Sequence, residues 1–223
     1  MKVWALIPAY NEEENIGSLL SEIKGRGISV AVIDDGSTDK TYEIAKDKSD
    51  IVLRNTKNLG KGSSIRRGIV FLLDNMDFDY VITMDADNQH SPHDLDKFLK
   101  EADKKADFVI GNRMGSPRGM PFIRLATNSF MSFVVSKIAR QRIPDTQCGF
   151  RLIKKNVLSS ISITTSKFEI ESEIIIKAAR KGFIIKSVPI ESIYFKGRSS
   201  NIRPFYDTLR FIKFIARLKN EGY

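Results

Sequence analysis

Cysteine is almost missing from this chain: Cys148 stands alone, so no disulfide can form within it, which fits a reducing cytoplasm. Long apolar runs are missing as well. A membrane-spanning helix needs about 18 or more apolar residues in a row. The best stretch, residues 122–139, carries Arg124, Asn128 and Lys137, so no segment is expected to cross a bilayer. The N-terminal MKVWALIPAY has no small-residue cleavage site and runs into the acidic NEEEN, which argues against a signal peptide. There is no short repeat and no Pro-, Gly- or Ser-rich linker, which excludes collagen, coiled-coil and solenoid classes. What remains is 223 residues with 42% hydrophobic content, enough for one globular domain that folds without a metal or disulfide staple.

Acidic residues are outnumbered, 27 against 36 basic, for a net charge of +9 and a pI near 9.6. Many small proteins are basic for no particular reason, but here the excess is local. Between Lys196 and Lys219 lie seven basic residues (Lys196, Arg198, Arg203, Arg210, Lys213, Arg217, Lys219) and one acid, Asp207, a net +6. An anionic partner is implied: a membrane surface, a phosphorylated substrate or nucleic acid.

The first half alternates β-branched apolar runs with polar helical patterns. Strands are predicted at 3–8, 30–34, 50–53, 80–85 and 107–111, with helices at about 13–24, 40–47, 61–73 and 92–103. Such alternation predicts an α/β fold, a largely parallel central sheet with helices on both faces. The second half is less regular: helices at about 122–142 and 169–181, a strand at 184–189 and a basic amphipathic helix over 203–219.

Ligands of parallel α/β sheets bind beyond the carboxyl ends of the strands. The polar clusters fall there: PAYNEE (8–13), DDGSTD (34–39), DADNQH (85–90) and GNR (111–113). Asp85 and Asp87 can face one hard divalent cation, which accepts one or two carboxylates plus phosphate oxygens, with Gln89 and His90 close enough to complete such a site. Taken alone, D-x-D is also an ordinary pair of turn acids. In DDGSTD, Gly36 reads as a tight turn and Ser37 or Thr38 as a cap for the next helix. The paired acids Asp34 and Asp35 need a partner, and a nucleoside could offer donors. NLGKGSSIRRG (58–68) opens a helix with glycines but fits neither phosphate-loop pattern. Lys61, Arg66 and Arg67 either contact a diphosphate or are solvated.

In order, PAYNEEENI, VIDDGSTDKT, NLGKGSSIRRG, MDADNQH, GNR and DTQCGFR resemble a family-two glycosyltransferase of the GT-A, nucleotide-diphospho-sugar transferase fold. More narrowly they resemble the dolichyl- or polyprenyl-phosphate mannose and glucose synthases. The resemblance runs from Val3 to about Pro204. It implies that Pro8, Tyr10 and Glu12 hold base and ribose, that Asp35 reads the base, and that Ile33 lines its pocket. It places Asp85, Ala86, Asp87 and Gln89 on the sugar nucleotide and a Mg2+ or Mn2+ ion, with Asp85, Asp87 and Gln89 as metal ligands. Lys61, Arg113, Arg198 and Arg203 are implied on the donor, Arg203 standing where the family commonly has lysine. Glu171 and Glu173 match an acidic pair of the family's second-half helix. Asp87, Arg113, Arg198 and Asp145 are the candidate catalytic residues; for Asp145 a turn role after Pro144 stands beside a place near the acceptor.

The implied reaction is a single inverting displacement from a nucleotide-sugar, of GDP-mannose or UDP-glucose type, to a polyprenyl or dolichyl phosphate. The basic 203–219 helix reads as lying on an anionic membrane or as docked on the sheet with its cations in solvent. The helix within 122–142 reads as helping to receive a lipid chain or as core. The expected location is cytoplasmic and peripheral on the membrane's cytoplasmic face, alone or with a separate membrane subunit. Three other readings compete. A nucleic-acid module lacks any helix-turn-helix, RRM, KH or zinc pattern and would meet an acidic rim, so no nucleic acid is expected. A nucleotidyltransferase needs a glycine- and basic-rich loop where the acidic PAYNEE stands. A transferase with a soluble acceptor differs only at the C-terminal helix.

Overall fold

The computed structural model describes residues 1–191 except 116, 118 and 168, then residue 193 and helix 204–220, with side chains in that helix for 210–218. Seven strands form one sheet: β1 (Val3–Ala9), β2 (Ser29–Asp34), β3 (Ile51–Arg54), β4 (Tyr80–Thr83), β5 (Phe108–Asn112), β6 (Arg151–Lys154) and β7 (Ile185–Pro189). Their order is β3-β2-β1-β4-β6-β5-β7, parallel throughout except β6, which runs against both β4 and β5. Among the described residues eight α-helices pack around the sheet and on one another: α1 (Ile16–Lys24), α2 (Thr41–Lys48), α3 (Lys61–Asn75), α4 (Leu95–Asp103), α5 (Phe122–Ala139), α6 (Lys155–Ser160), α7 (Glu169–Arg180) and α8 (Pro204–Asn220).

The core follows from the apolar runs. Ala5, Leu6 and Ile7 of β1 and Val30 to Ile33 of β2 are buried on both sides, as central parallel strands must be. Helix α3 lies close on β1 because residue 68 is glycine: a Cβ there would stand 2.2 Å from Leu6 Cδ1. The carboxyl ends of β1, β2, β4 and β5 share one edge, so the four polar clusters are neighbours in space.

Several boundaries differ from the sequence reading. The residues before Ile16 form a turn in which Glu12 O accepts from Asn15 N and Ile16 N, so α1 begins later than Glu13. Helix α5 stops at Ala139 because Arg140 takes a left-handed conformation, φ 53°. Ser37 and Thr38 do not cap α2; the cap position is Lys40, and Ser37 Oγ accepts Asn11 N at 3.0 Å, tying two rim loops together. Strand β6 and helix α6 had no counterpart in the sequence reading. In α8, Phe211, Phe214 and Leu218 are buried as the helix packs against α5 and α7, while Ile212, Lys213 and Arg217 face outward. Among the described residues no helix is long and apolar enough to cross a membrane.

Candidate active site

The rim begins where β1 and β2 end side by side, with Asp35 N donating to Ala9 O at 2.8 Å. Pro8 and Ile33 are register partners, both buried. Ile33 packs under Gly68 of α3, in the core below the rim, while Tyr10 is exposed. Asn11 takes a left-handed conformation, φ 53°, and its Oδ1 accepts Thr38 N at 2.9 Å. Glu12 N donates to Thr41 Oγ1 and Glu12 Oε2 accepts Asn15 Nδ2.

The two acids at the end of β2 have internal partners. Asp34, fully buried, pairs with Arg54 Nε at 3.1 Å, whose guanidinium lies over the Tyr42 ring. Asp35 accepts from Asn55 Nδ2 (2.6 Å), Leu59 N (3.0 Å) and Gly60 N (2.8 Å). It therefore fixes the turn that starts α3. Gly60 carries the turn with φ 93°, a conformation costly for residues with a Cβ. A cavity of about 380 Å³ beside it is lined by Gly36, Ser37, Thr38, Arg54, Asn55 and Thr56.

At the end of β4, Asp85 Oδ1 receives Lys61 Nζ at 2.6 Å, and the same ammonium reaches Glu171 Oε1 of α7 at 2.8 Å. Burial alone would raise the Asp85 carboxyl, but the positive charges around it, Lys61 first, hold it at about 2. Asp87 goes the other way: burial and the neighbouring Asp85 charge push it to about 6. Its Oδ1 accepts Gln89 N at 3.1 Å, and Gln89 O accepts Ile193 N at 3.0 Å. Ala86 is buried between the two acids. His90 is buried against Phe150 and Cys148; burial lowers it to about 4 and lifts the Cys148 thiol to about 12, so both are neutral.

At the end of β5, Arg113 is clamped by Asp145: Nε to Oδ2 at 2.7 Å, Nη2 to Oδ1 at 2.9 Å and the Arg113 backbone N to Oδ2 at 3.1 Å. Both residues are buried, and Arg113 stands near enough to Asp85 to help lower its carboxyl. The structure thus gathers Asp85, Asp87, Gln89, Lys61, Arg113 and Asp145 at one edge. Arg198 and Arg203 lie outside the described residues.

Two further residues complete this edge. Glu171 is the second partner of Lys61, and Gly149 lets Lys61 and Asp85 meet, because a Cβ there would lie 2.8 Å from Lys61 Nζ and 3.0 Å from Asp85 Oδ2. A Gly-aromatic-Arg string following Asp145 was the available signal for Gly149; the Glu171 pairing spans 110 positions and has no local signal. Among the described residues no group of three or more His, Cys, Asp or Glu side chains is placed to hold a metal ion. The two carboxylates Asp85 and Asp87 nevertheless suit a hard divalent ion whose remaining ligands are phosphate oxygens and water. A larger cavity, about 930 Å³, opens beside Phe78, Tyr80 and Lys154, at the opposite end of β4.

The sequence profile of glycosyl transferase family 2 matches residues 4–162. The chain belongs to this family. A UDP-N-acetylglucosamine–dolichyl-phosphate N-acetylglucosaminyltransferase of Methanococcus voltae is 27% identical over 216 residues, covering 86% of each chain. A dolichol-phosphate mannosyltransferase of Pyrococcus furiosus is 33% identical over 191 residues, 79% of this chain and 53% of the relative. The crystal structure of mannosyl-3-phosphoglycerate synthase from Rubrobacter xylanophilus superposes with a TM-score of 0.71 at 19% identity, covering all of this chain and 75% of that one. The glycosyltransferase therefore has the GT-A fold, and the rim described above lies at the carboxyl ends of its parallel strands. It is similar in sequence to the dolichol-phosphate sugar synthases.

Proposed function

We propose that this glycosyltransferase moves a sugar from a nucleotide diphosphate sugar, of GDP-mannose or UDP-glucose type, to a polyprenyl or dolichyl phosphate, with inversion at the anomeric carbon. The observation that carries the reading is the meeting of the Asp85–Asp87 pair with Lys61 and the Asp145-held Arg113 at one edge. The named activities of the Methanococcus and Pyrococcus relatives support a lipid-phosphate acceptor.

The chemistry asks for charge more than for a base. An acceptor phosphate oxygen attacks C1, the C1–O bond to the diphosphate breaks, and the diphosphate leaves with the bonding pair. The attacking oxygen is already anionic near neutral pH, so no proton must be removed. Asp85 and Asp87, with Gln89 alongside, would hold Mg2+ or Mn2+, which when bound supplies positive charge to a leaving diphosphate. Arg113 adds a fixed guanidinium: its bidentate pairing with Asp145 leaves it no rotamer to choose when charge develops. Asp145 acts through Arg113 and is a positioning residue on this reading. Asp35 holds the Leu59–Gly60 turn beside the nucleotide, with Pro8, Tyr10 and Glu12 bordering the base side, Ile33 supporting that side from the core below, and Arg198 and Arg203 completing the donor site.

Association with an anionic membrane at its cytoplasmic face is supported by the outward Lys213 and Arg217 of α8. Neighbouring α5 exposes Phe122, Ile123, Phe130 and Phe133. A second reading, with a water-soluble acceptor, is favoured by one observation: Phe211, Phe214 and Leu218 of α8 are spent inward.

Purified protein is incubated with radiolabelled GDP- and UDP-sugars and polyprenyl phosphate in vesicles, with and without EDTA. Label in the lipid extract, lost in EDTA and in Asp87→Ala, is the expected result. Label that enters only water-soluble products overturns the lipid acceptor, and full activity in excess EDTA overturns the metal role.

A further inference from the structure

Lys61 leaves the first turn of α3 and ends between two carboxylates from different halves of the chain, Asp85 at 2.6 Å and Glu171 at 2.8 Å. The setting is built for it. Gly149 leaves the space in which ammonium and Asp85 carboxylate meet. Glu171 is 7% exposed and is backed by Arg151 at 3.7 Å, whose guanidinium is fixed by the carbonyls of Cys148, Thr146 and Glu171. The first turn of α3 is itself pinned: Ser63 Oγ donates to Ser166 O at 3.0 Å, and Gly62 lies so close to the Lys167 backbone that a Cβ would stand 2.2 Å from its carbonyl oxygen.

Asp85 is therefore already neutralised by a cation the protein carries. A divalent ion arriving alone would have to displace that ammonium and then sit close to it, in a partly desolvated site where like charges repel strongly. An ion arriving with a nucleotide diphosphate brings its own negative charge, to which the ammonium can turn. We infer that Lys61 is a built-in counter-ion that closes Asp85 to a bare divalent cation and yields it when the cation comes with the nucleotide, with Glu171 as the anchor that draws the ammonium off Asp85. The inference rests on the proposed donor chemistry and adds an order to it: metal enters with nucleotide, not before.

The test measures Mn2+ binding to the full chain by electron paramagnetic resonance in the absence of nucleotide, so turnover plays no part. Wild type is expected to bind weakly. Lys61→Met removes the charge at similar length and should tighten binding by about tenfold or more. Glu171→Gln leaves Asp85 as the ammonium's one full counter-charge of the two and should weaken binding below wild type. Opposite shifts cannot come from general loosening of the site, which would weaken both. Lys61→Met binding Mn2+ no better than wild type, or Glu171→Gln binding it as well or better, overturns the inference; if Lys61→Met does not fold, Glu171→Gln decides alone. A wild type that transfers no sugar, beside the expected Mn2+ shifts, would sink the proposed reaction and leave the counter-ion role standing.

Discussion

Replacing Glu173 with alanine should cost this protein about 3–5 kcal/mol, the usual loss when one partner of a buried ion pair is removed. The carboxylate is fully buried and accepts from five donors. Thr164 supplies N at 2.9 Å and Oγ1 at 2.7 Å, Thr165 supplies N at 2.8 Å and Oγ1 at 2.6 Å, and Lys177 Nζ completes the set from one turn further along α7. Alanine strips four polar groups of the 164–165 segment of their acceptor and deprives a buried lysine of this counter-charge. Urea unfolding followed by circular dichroism at pH 7 reads the loss as a shift in midpoint with unchanged slope. Acid supplies a second reading. Burial pushes this carboxyl upward, but Lys177 and the two threonines outweigh it and hold it at about 2 against an ordinary 4.5. A lowered folded value means that the contribution is complete above about pH 4.5 and fades as pH falls towards 2. The gap between wild type and Glu173→Ala should therefore close over that window. A loss under about 1 kcal/mol at pH 7, the size of an ordinary substitution, or a gap that ignores acid, would refute the reasoning.

Three other outcomes follow from the geometry. Gly68→Ala drives a methyl against Leu6 and Ile33 and should lower stability by about 1–3 kcal/mol, read by thermal melting; an unchanged melt would show that α3 can lift off β1 freely. Asp35→Ala releases Leu59 N, Gly60 N and Asn55, so nucleotide affinity measured by calorimetry should fall more than kcat; a large fall in kcat at unchanged affinity contradicts this. Reversing Lys213 and Arg217 to Glu first removes about 1 kcal/mol of attraction each, roughly thirtyfold in partitioning to anionic liposomes, and sedimentation equal to wild type would end the membrane reading of α8.

What could be read from the sequence was what is local. The runs VWALIP and VAVID are apolar on both faces, and each leads into a polar cluster, AYNEE after the first and DDGSTD at the end of the second, so both strand identity and the ligand-binding edge were visible. RLIK (151–154) was not. Four residues with a cation at each end carry no apolar period, and its antiparallel seat between β4 and β5 is decided by register with residues far away. The same split divides the site. Asp85 and Asp87 announced themselves as neighbours in one loop. Arg113 was visible as the residue after β5, but its clamp by Asp145 lies 32 positions away and nothing local points to it. For Asp34 and Asp35 the need for partners was legible, yet the partners are Arg54, Asn55 and the Leu59–Gly60 backbone, supplied from within the chain.

The contact between Lys61 and Glu171 also has a consequence for how the protein is made. A ribosome releases Lys61, Asp85 and Asp87 long before Glu171, which lies 110 residues after Lys61. Gly149 and Arg151, which shape and back the same corner, also emerge late, just before and at the start of the strand that wedges between β4 and β5. A nascent chain that has folded β1 to β4 thus presents two acids and a lysine without the anchor that sets their spacing. The finished charge arrangement is a product of the last third of synthesis, and a fragment ending before α7 carries the D-x-D pair without it.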